Sequence, residues 1–223
     1  MSKVNIAIDG PAGAGKSTIA KMVSKALGII YIDTGAMYRS VALRAIREGV
    51  DTKDSQMLAR LVENICIHIS HIGNEQRIFL DDEDVSDKIR TPEVSIGASN
   101  VAAVPEVRIK MVELQRAIAN KNSVVMDGRD IGTYVLPCAD LKIFLTASIE
   151  ERAKRRYKEQ FDRGISDTSI EEVKKEIEYR DKSDSSRAFA PLRKAEDAVE
   201  IDTTGMSTEE VVEKIITLAR VGK

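Results

Sequence analysis

The sequence has few of the residues on which metal centres, disulfides and histidine-based catalysis depend. Its 223 residues include two cysteines, Cys66 and Cys138, and two histidines, His68 and His71. The cysteines stand far apart among apolar neighbours, so we expect two buried thiols rather than a disulfide. A zinc centre at Cys66, His68 and His71 is disfavoured, because the alternation over residues 65–70 is explained by a strand with one polar face. Two histidines also leave little material for a Ser-His-Asp site.

Long apolar runs and an excess of charge are also missing. No stretch approaches the roughly 18 residues of a membrane helix, and the first residues lead into an apolar segment without a signal-peptide pattern. The 34 basic and 36 acidic side chains give a formal net charge of -2, and 4% of the residues are aromatic. This composition disfavours a nucleic-acid surface of interleaved basic and aromatic residues. We therefore expect a cytoplasmic protein that binds neither membranes nor nucleic acids. We also expect a monomer, although the composition does not decide the oligomeric state.

One glycine-rich segment carries the clearest functional signal. Residues 10–17 read GPAGAGKS and fit GxxxxGK(S/T), between a β-rich run at 4–8 and a predicted helix at 17–27. In such a P-loop, glycines let backbone amides converge on phosphate oxygens, and the helix N-terminus adds partial positive charge. Lys16 is predicted to reach the β- and γ-phosphates, and Ser17 to ligate Mg²⁺. The predicted ATP-binding residues are Gly10, Pro11, Ala12, Gly13, Ala14, Gly15, Lys16, Ser17 and Thr18.

Short apolar runs alternate with amphipathic helices along the rest of the chain. This order predicts an α/β fold of the P-loop three-layer type, with a five-stranded parallel sheet. The predicted strands are residues 4–8, 29–32, 123–126, 141–146 and 198–202. Between residues 65 and 80 the pattern changes to a β-hairpin with Gly73-Asn74 at its turn. We expect one cooperative domain over residues 1–223 with inserted segments.

Charged residues follow the carboxyl ends of the predicted strands, which is where open parallel sheets bind ligands. Asp127 closes one strand at the Walker-B position and is predicted to assist Mg²⁺ binding directly or indirectly. Four arginines exceed what one triphosphate requires and indicate a second anionic substrate; they are Arg39, Arg129, Arg180 and Arg187. A mobile helix is predicted to close over the site for phosphoryl transfer, bringing Arg152, Arg155, Arg156 and Arg163.

Four segments together resemble the bacterial cytidylate kinase family. They read DGPAGAGKS at 9–17, IDTGAMYR at 32–39, DGRDIGT at 127–133 and RDKSDSSRAFAPL at 180–192. The resemblance covers essentially the whole chain, including the hairpin between Asn64 and Arg90. It implies transfer of the γ-phosphate of ATP, with Mg²⁺, to CMP or dCMP, which gives CDP or dCDP. It also implies an NMP-binding region at about 34–103 and a lid at about 151–168.

The resemblance further implies roles for single residues. The acceptor phosphate would be held by Thr34, Arg39, Arg129 and Arg187. The sugar would be held by Arg180 and Asp184, and the cytosine by Ser99, Arg108 and Asp130. The catalytic residues would be Lys16, Arg129, Arg155 and Arg187. Some relatives carry Ser at the Thr34 position, which keeps the hydroxyl. Others have Gly-Thr where this chain has Ser17-Thr18, so the hydroxyls of Ser17 and Thr18 both stay candidates for the Mg²⁺ contact.

Three other functions are compatible with a P-loop. Another small-molecule kinase would act on AMP, shikimate or dephospho-coenzyme A. A GTPase would read guanine with NKxD, but residues 120–123 read NKNS and lack the Asp. A nucleic-acid-dependent ATPase is disfavoured by the net charge. Measuring ADP release with each acceptor separates the kinases.

Overall fold

A computed structural model describes residues 3–72, 75–162, 164 and 168–221. In this part the chain forms two compact units, one from the described residues of 1–32 and 121–223, and one from those of 33–120. The predicted Gly73-Asn74 turn and Arg163 lie outside the described residues. The single domain stays a prediction, as does the NMP-binding region, whose expected end at about 103 comes before the end of the second unit.

The described residues form the five strands that the sequence pattern predicts for the parallel sheet, together with a hairpin and eight α-helices. The strands are β1 (Asn5–Asp9), β2 (Ile30–Asp33), β3 (Ile67–Ile72), β4 (Glu75–Leu80), β5 (Glu83–Asp84), β6 (Val124–Gly128), β7 (Leu141–Thr146) and β8 (Val199–Asp202). The α-helices are α1 (Lys16–Leu27), α2 (Thr34–Arg47), α3 (Ser55–Glu63), α4 (Pro92–Val101), α5 (Pro105–Ala119), α6 (Ile149–Asp162), α7 (Ile170–Ser185) and α8 (Thr208–Val221). A 3₁₀ turn spans Lys88–Arg90, and a π-helical turn spans Ile131–Val135.

The first unit is built on a sheet with strand order β2-β6-β1-β7-β8 among the described residues. Strand β1 pairs in parallel with β6 and β7, and β7 pairs in parallel with β8. Ile6, Ala7 and Ile8 are fully buried, because helices cover both faces of a sheet of this kind. The predicted five-stranded parallel sheet is confirmed. Its central strand ends at Asp9, so the P-loop leaves from the carboxyl edge.

The second unit contains α2 to α5 and a small sheet of order β3-β4-β5 in the described part. Strands β3 and β4 pair antiparallel, which confirms the predicted hairpin. Helix α2 begins at Thr34 because the Asp33 carboxylate accepts a bond from the Ala36 amide at 2.8 Å. Thr34, which is also a residue type that caps helices, is instead the first residue of α2. Ile78 and Leu80 from the hairpin are buried in one apolar core with residues of the helices.

Both cysteines are exposed, so the expectation of buried thiols is wrong. Ile65 and Ile67 are each 7% exposed and face the core. Since successive side chains of a strand point to opposite faces, Cys66 must face outward with His68, whose ring stacks on Phe79. Cys138 lies in the turn before β7.

Candidate active site

The P-loop has a backbone that side chains would obstruct at several positions. A Cβ atom on Gly10 would lie 2.2 Å from the Leu145 carbonyl oxygen, and φ at this residue is +150°. Gly13 and Gly15 have φ of +76° and +81°, in the left-handed region that favours glycine. Gly15 is also the residue before α1, so the loop opens directly onto a helix N-terminus.

Lys16 lies in the first turn of α1 and is 6% exposed. Its Nζ donates to the Pro11 carbonyl oxygen at 2.7 Å, so the side chain folds back along the loop. Burial lowers the pKa of Lys16 well below its usual range, and the positive charge of Arg129 lowers it further. A phosphate at the loop would relieve this repulsion between cations, because its charge is attracted by both. The site is therefore electrostatically suited to an anion.

Ser17 and Asp127 meet next to the loop. Ser17 Oγ donates to Asp127 Oδ2 at 2.8 Å, and the Tyr31 hydroxyl donates to Asp127 Oδ1 at the same distance. Hydroxyl and carboxylate oxygens are the hard donors that Mg²⁺ prefers, and Mg²⁺ usually completes its shell with water and substrate phosphates. The residues present thus fit the metal that the sequence predicts. Sequence reasoning did not single out Tyr31, which orients Asp127 from β2.

Two of the predicted acceptor-phosphate residues of the first unit bind the same carboxylate, that of Asp184. Arg129 Nε donates to Asp184 Oδ2 at 2.6 Å, and Arg187 Nη2 donates to Asp184 Oδ1. Burial would raise the pKa of Asp184, but Arg129 and Arg187 outweigh it and hold that pKa below its usual value. Burial, together with Arg129, lowers the pKa of Arg180 to about 10. Asp184 thus fixes two guanidinium groups that would otherwise repel each other.

In the second unit, Asp33 plays a similar part. Arg39 and Arg90 donate to its Oδ2 at 2.8 and 3.1 Å. Burial alone would raise the pKa of Asp33, yet the two arginines lower it strongly. Arg90 was not among the predicted site residues; its only signal in the sequence was a basic residue before the Thr91-Pro92 helix start.

The predicted cytosine residues of the second unit are buried on α4 and α5. Arg108 is 1% exposed, donates to the Ala102 carbonyl oxygen at 3.1 Å and lies 5.7 Å from the centre of the Tyr38 ring. Ser99 is 4% exposed. A buried guanidinium needs polar partners, and the Ala102 carbonyl oxygen is one of those of Arg108. The contact of Ser99 and Arg108 with cytosine stays a prediction.

A sequence model described as cytidylate kinase matches residues 6–221. The chain belongs to the cytidylate kinase family. Among the curated relatives, the cytidylate kinase of Caldicellulosiruptor bescii is 51% identical over 98% of this chain and 96% of the relative. The cytidylate kinase of Bacillus cereus is 51% identical over 97% and 96%. The family membership predicted from four sequence segments is confirmed.

Solved structures share the fold of this cytidylate kinase family member at much lower identity. A shikimate kinase from Acinetobacter baumannii is 16% identical, with a TM-score of 0.50 over 100% of this chain and 96% of that one. A shikimate kinase from Bacteroides thetaiotaomicron is 13% identical, with a TM-score of 0.51 over 98% and 99%. These neighbours support the P-loop kinase fold. Within the described residues, no helix combines the length and apolar character that crossing a bilayer would require.

Two further predicted residues of the first unit have defined surroundings. Arg155 on α6 donates to Glu151, to the Thr203 hydroxyl at 2.9 Å and to the Thr203 carbonyl oxygen at 2.8 Å. Asp130 is 4% exposed and begins the π-helical turn, where its carbonyl oxygen accepts the amide of Tyr134 at 2.8 Å. Their roles in catalysis and in cytosine binding stay predictions.

Sequence reasoning missed Asp9, the last residue of β1. Its carboxylate accepts bonds from the amides of Ile131 and Gly132 at 2.8 and 2.7 Å, directly after Asp130. Asp9 therefore joins the start of the P-loop to the segment that carries two predicted acceptor residues. A polar residue ending an apolar strand next to the motif was the available signal.

Proposed function

We propose that the protein transfers the γ-phosphate of ATP to CMP or dCMP and forms ADP with CDP or dCDP. The observation that carries this proposal is the buried Lys16 of the P-loop, whose pKa is lowered by burial and by the nearby positive charges of Arg129 and Arg180 in the same unit. Phosphoryl transfer needs positively charged protein groups facing both the donor and the acceptor phosphates, because both phosphates are negative. The curated relatives named cytidylate kinase support the choice of CMP as acceptor.

On the donor side, residues 10–18 would bind the ATP phosphates, mainly through backbone amides, and Lys16 would stabilise the charge that develops between the β- and γ-phosphates. Ser17, with Asp127 behind it, would hold Mg²⁺; Thr18 stays the alternative hydroxyl. When bound, Mg²⁺ neutralises charge on the transferring phosphoryl group. Tyr31 keeps the Asp127 carboxylate turned toward Ser17.

On the acceptor side, the proposed contacts follow the family resemblance. Thr34, Arg39, Arg129 and Arg187 would bind the acceptor phosphate, and Arg180 with Asp184 the sugar. Ser99, Arg108 and Asp130 would bind cytosine. The buried carboxylates that hold these arginines support the assignment, because a guanidinium fixed in advance loses less conformational entropy when phosphate binds.

The test is a screen of phosphoryl acceptors in which a coupled assay measures ADP release with each one. CMP and dCMP should give kcat/KM at least tenfold above UMP, AMP, shikimate and dephospho-coenzyme A. The Lys16→Met variant serves as the control for contaminating kinases. A higher kcat/KM with AMP or shikimate would overturn the proposed acceptor while leaving the P-loop assignment intact.

The oligomeric state and the location stay predictions. We expect a monomer by light scattering after size-exclusion chromatography, and a cytoplasmic enzyme that needs no macromolecular partner for turnover.

A further inference from the structure

Ala12, near the middle of the P-loop, has both of its backbone polar groups bound by charged side chains. Its amide donates to Asp181 Oδ1 at 3.0 Å, and its carbonyl oxygen accepts from Arg152 Nη1 at 2.9 Å. The same Arg152 nitrogen donates to Asp181 Oδ2 at 2.5 Å, which closes a ring of three hydrogen bonds. Arg152 Nε also donates to the Ala147 carbonyl oxygen at 3.0 Å. The peptide geometry of Ala12 is thus set by two side chains distant in sequence.

Close packing accompanies this ring. Ala12 is 2% exposed and lies in an apolar cluster with Ala153 of α6 and Ile177 of α7. At the next residue, a Cβ atom on Gly13 would lie 2.9 Å from the Arg152 carbonyl oxygen and 3.0 Å from its Cβ. The first turn of α6 therefore lies directly against the loop, and a shift of Arg152 would disturb two successive loop residues.

Asp181 brings a carboxylate to the phosphate-binding loop. A carboxylate bound to an amide of a phosphate-binding loop places negative charge where the ligand is also negative, and like charges repel more strongly in a partly buried site. Arg152 offsets that charge, since its side chain is only 10% exposed and its guanidinium contacts the carboxylate directly. Removing one partner of a buried ion pair leaves an uncompensated charge, whereas removing both does not.

We propose that Arg152 and Asp181 are positioning residues of the donor site. Asp181 fixes the Ala12 amide, and Arg152 fixes the Ala12 carbonyl group and neutralises Asp181 so that the loop accepts ATP phosphates. The proposal rests on the proposed function, because it concerns ATP binding by the kinase. It gives Arg152 a task at the loop, in place of the predicted delivery of positive charge by a closing helix.

The experiment measures binding of a fluorescent N-methylanthraniloyl derivative of ATP with Mg²⁺, along with kcat, for the full chain and four variants. The chain has no tryptophan, so protein emission interferes little with the probe. Arg152→Gln should weaken binding about 10- to 100-fold, as expected when a charged hydrogen-bond partner is lost. Asp181→Asn should weaken it less than about tenfold, and the double variant should bind more tightly than Arg152→Gln alone.

Glu150→Gln is the matched control. Glu150 and Lys174 join the same two helices through an exposed ion pair of 2.9 Å that does not involve the loop. This variant should bind the probe within about twofold of the wild type, because exposed pairs contribute little. If Arg152→Gln binds as tightly as this control, or if the double variant shows the simple product of the two single effects, the proposal is overturned.

Arg152→Lys keeps the test decisive if the Gln variant does not fold, as judged by circular dichroism. Lysine preserves the charge but lacks the fork that reaches Ala12, Asp181 and Ala147 together. Its dissociation constant should stay within about threefold of wild type while kcat falls about tenfold. Unchanged values of both would rule out positioning. Since the binding assay needs no acceptor, a failure of CMP phosphorylation would contradict the proposed function and not this inference.

Discussion

The buried Asp9 carboxylate leads to a quantitative prediction about pH and stability. Burial raises the pKa of Asp9 to about 7 although the amides of Gly132 and Ile131 and the charge of Lys16 lower it; the negative charge of Asp130 acts in the same direction as burial. In the unfolded chain an aspartate titrates near 3.9. Between these values the folded state binds the extra proton, so the free energy of unfolding decreases as pH rises toward 7 and levels off above it.

The size of the effect follows from the interval covered. Each pH unit between the two pKa values costs about 1.4 kcal/mol, so raising the pH from 5 to 8 should remove about 2.5 kcal/mol through Asp9. In the Asp9→Asn variant the side chain at position 9 cannot ionise, so the free energy of unfolding does not decrease through this group. The difference in free energy of unfolding between wild type and variant should therefore shift by about 2.5 kcal/mol in favour of the variant over this range.

The assay is urea unfolding followed by circular dichroism at pH 5, 6, 7 and 8 and constant ionic strength, with linear extrapolation to water. Asp87→Asn is the control, because the Asp87 side chain is 97% exposed. A difference that stays constant with pH would show that Asp9 does not titrate with a raised pKa. That constant difference would mean that the two amide bonds outweigh burial and keep the carboxylate ionised in the folded state over the whole range.

Three further predictions concern the proposed reaction. Lys16→Met should lower kcat by at least about a thousandfold with an unchanged circular dichroism spectrum, and near-normal turnover would remove Lys16 from catalysis. Arg39→Ala and Arg187→Ala should each lower kcat/KM for CMP about 10- to 100-fold while the dissociation constant of ATP changes less than about threefold; equal losses for both substrates would place them at the donor site. Asp130→Asn should narrow the CMP-to-UMP ratio of kcat/KM at saturating ATP, mainly by losing CMP activity, and an unchanged ratio would show that Asp130 does not read the base.

Features encoded by neighbouring residues could be predicted from the sequence. The P-loop is recognisable because its motif is contiguous and its glycines are required sterically. At Gly10, a Cβ atom would lie 2.2 Å from the Leu145 carbonyl oxygen. Thr91 and Pro92 are residue types typical of a helix start, and at the start of α4 the Thr91 hydroxyl accepts the Val94 amide at 3.2 Å. The parallel sheet followed from apolar runs separated by helices. In each case the physical cause lies within a few residues.

Local patterns around Cys66 and at the start of α2 show where sequence patterns stop being decisive. The alternation around Cys66 was used to explain the histidine at position 68, and the same alternation places Cys66 on the outward face. At the start of α2, both Asp33 and Thr34 are good capping residues, and the sequence does not decide between them. In the structure Asp33 is the capping residue. Its carboxylate accepts hydrogen bonds from both the Ala36 amide and the Arg39 guanidinium.

Long-range charge compensation was beyond reach of the sequence. Asp9 contacts amides more than 120 residues away, and Asp181 contacts an amide 169 residues away. No local pattern separates such carboxylates from solvated surface charges, which are the usual state of Asp and Glu. Only the fold brings them to the P-loop, so only the structure could give them a task.

Carboxylates also pair with the predicted site arginines. The count of four arginines in the sequence indicates an excess of positive charge for a second anion, but the structure pairs three of them with carboxylates. Arg129 and Arg187 bind Asp184, and Arg39 binds Asp33 together with Arg90, which was not in the count. A guanidinium has five donors, so one that binds a carboxylate can also bind a phosphate oxygen. The carboxylates therefore reduce the net charge while fixing the direction of each guanidinium plane. Affinity for phosphate then depends on geometry more than on the number of arginines, which is why we expect each single substitution to cost about as much as a full charged hydrogen bond.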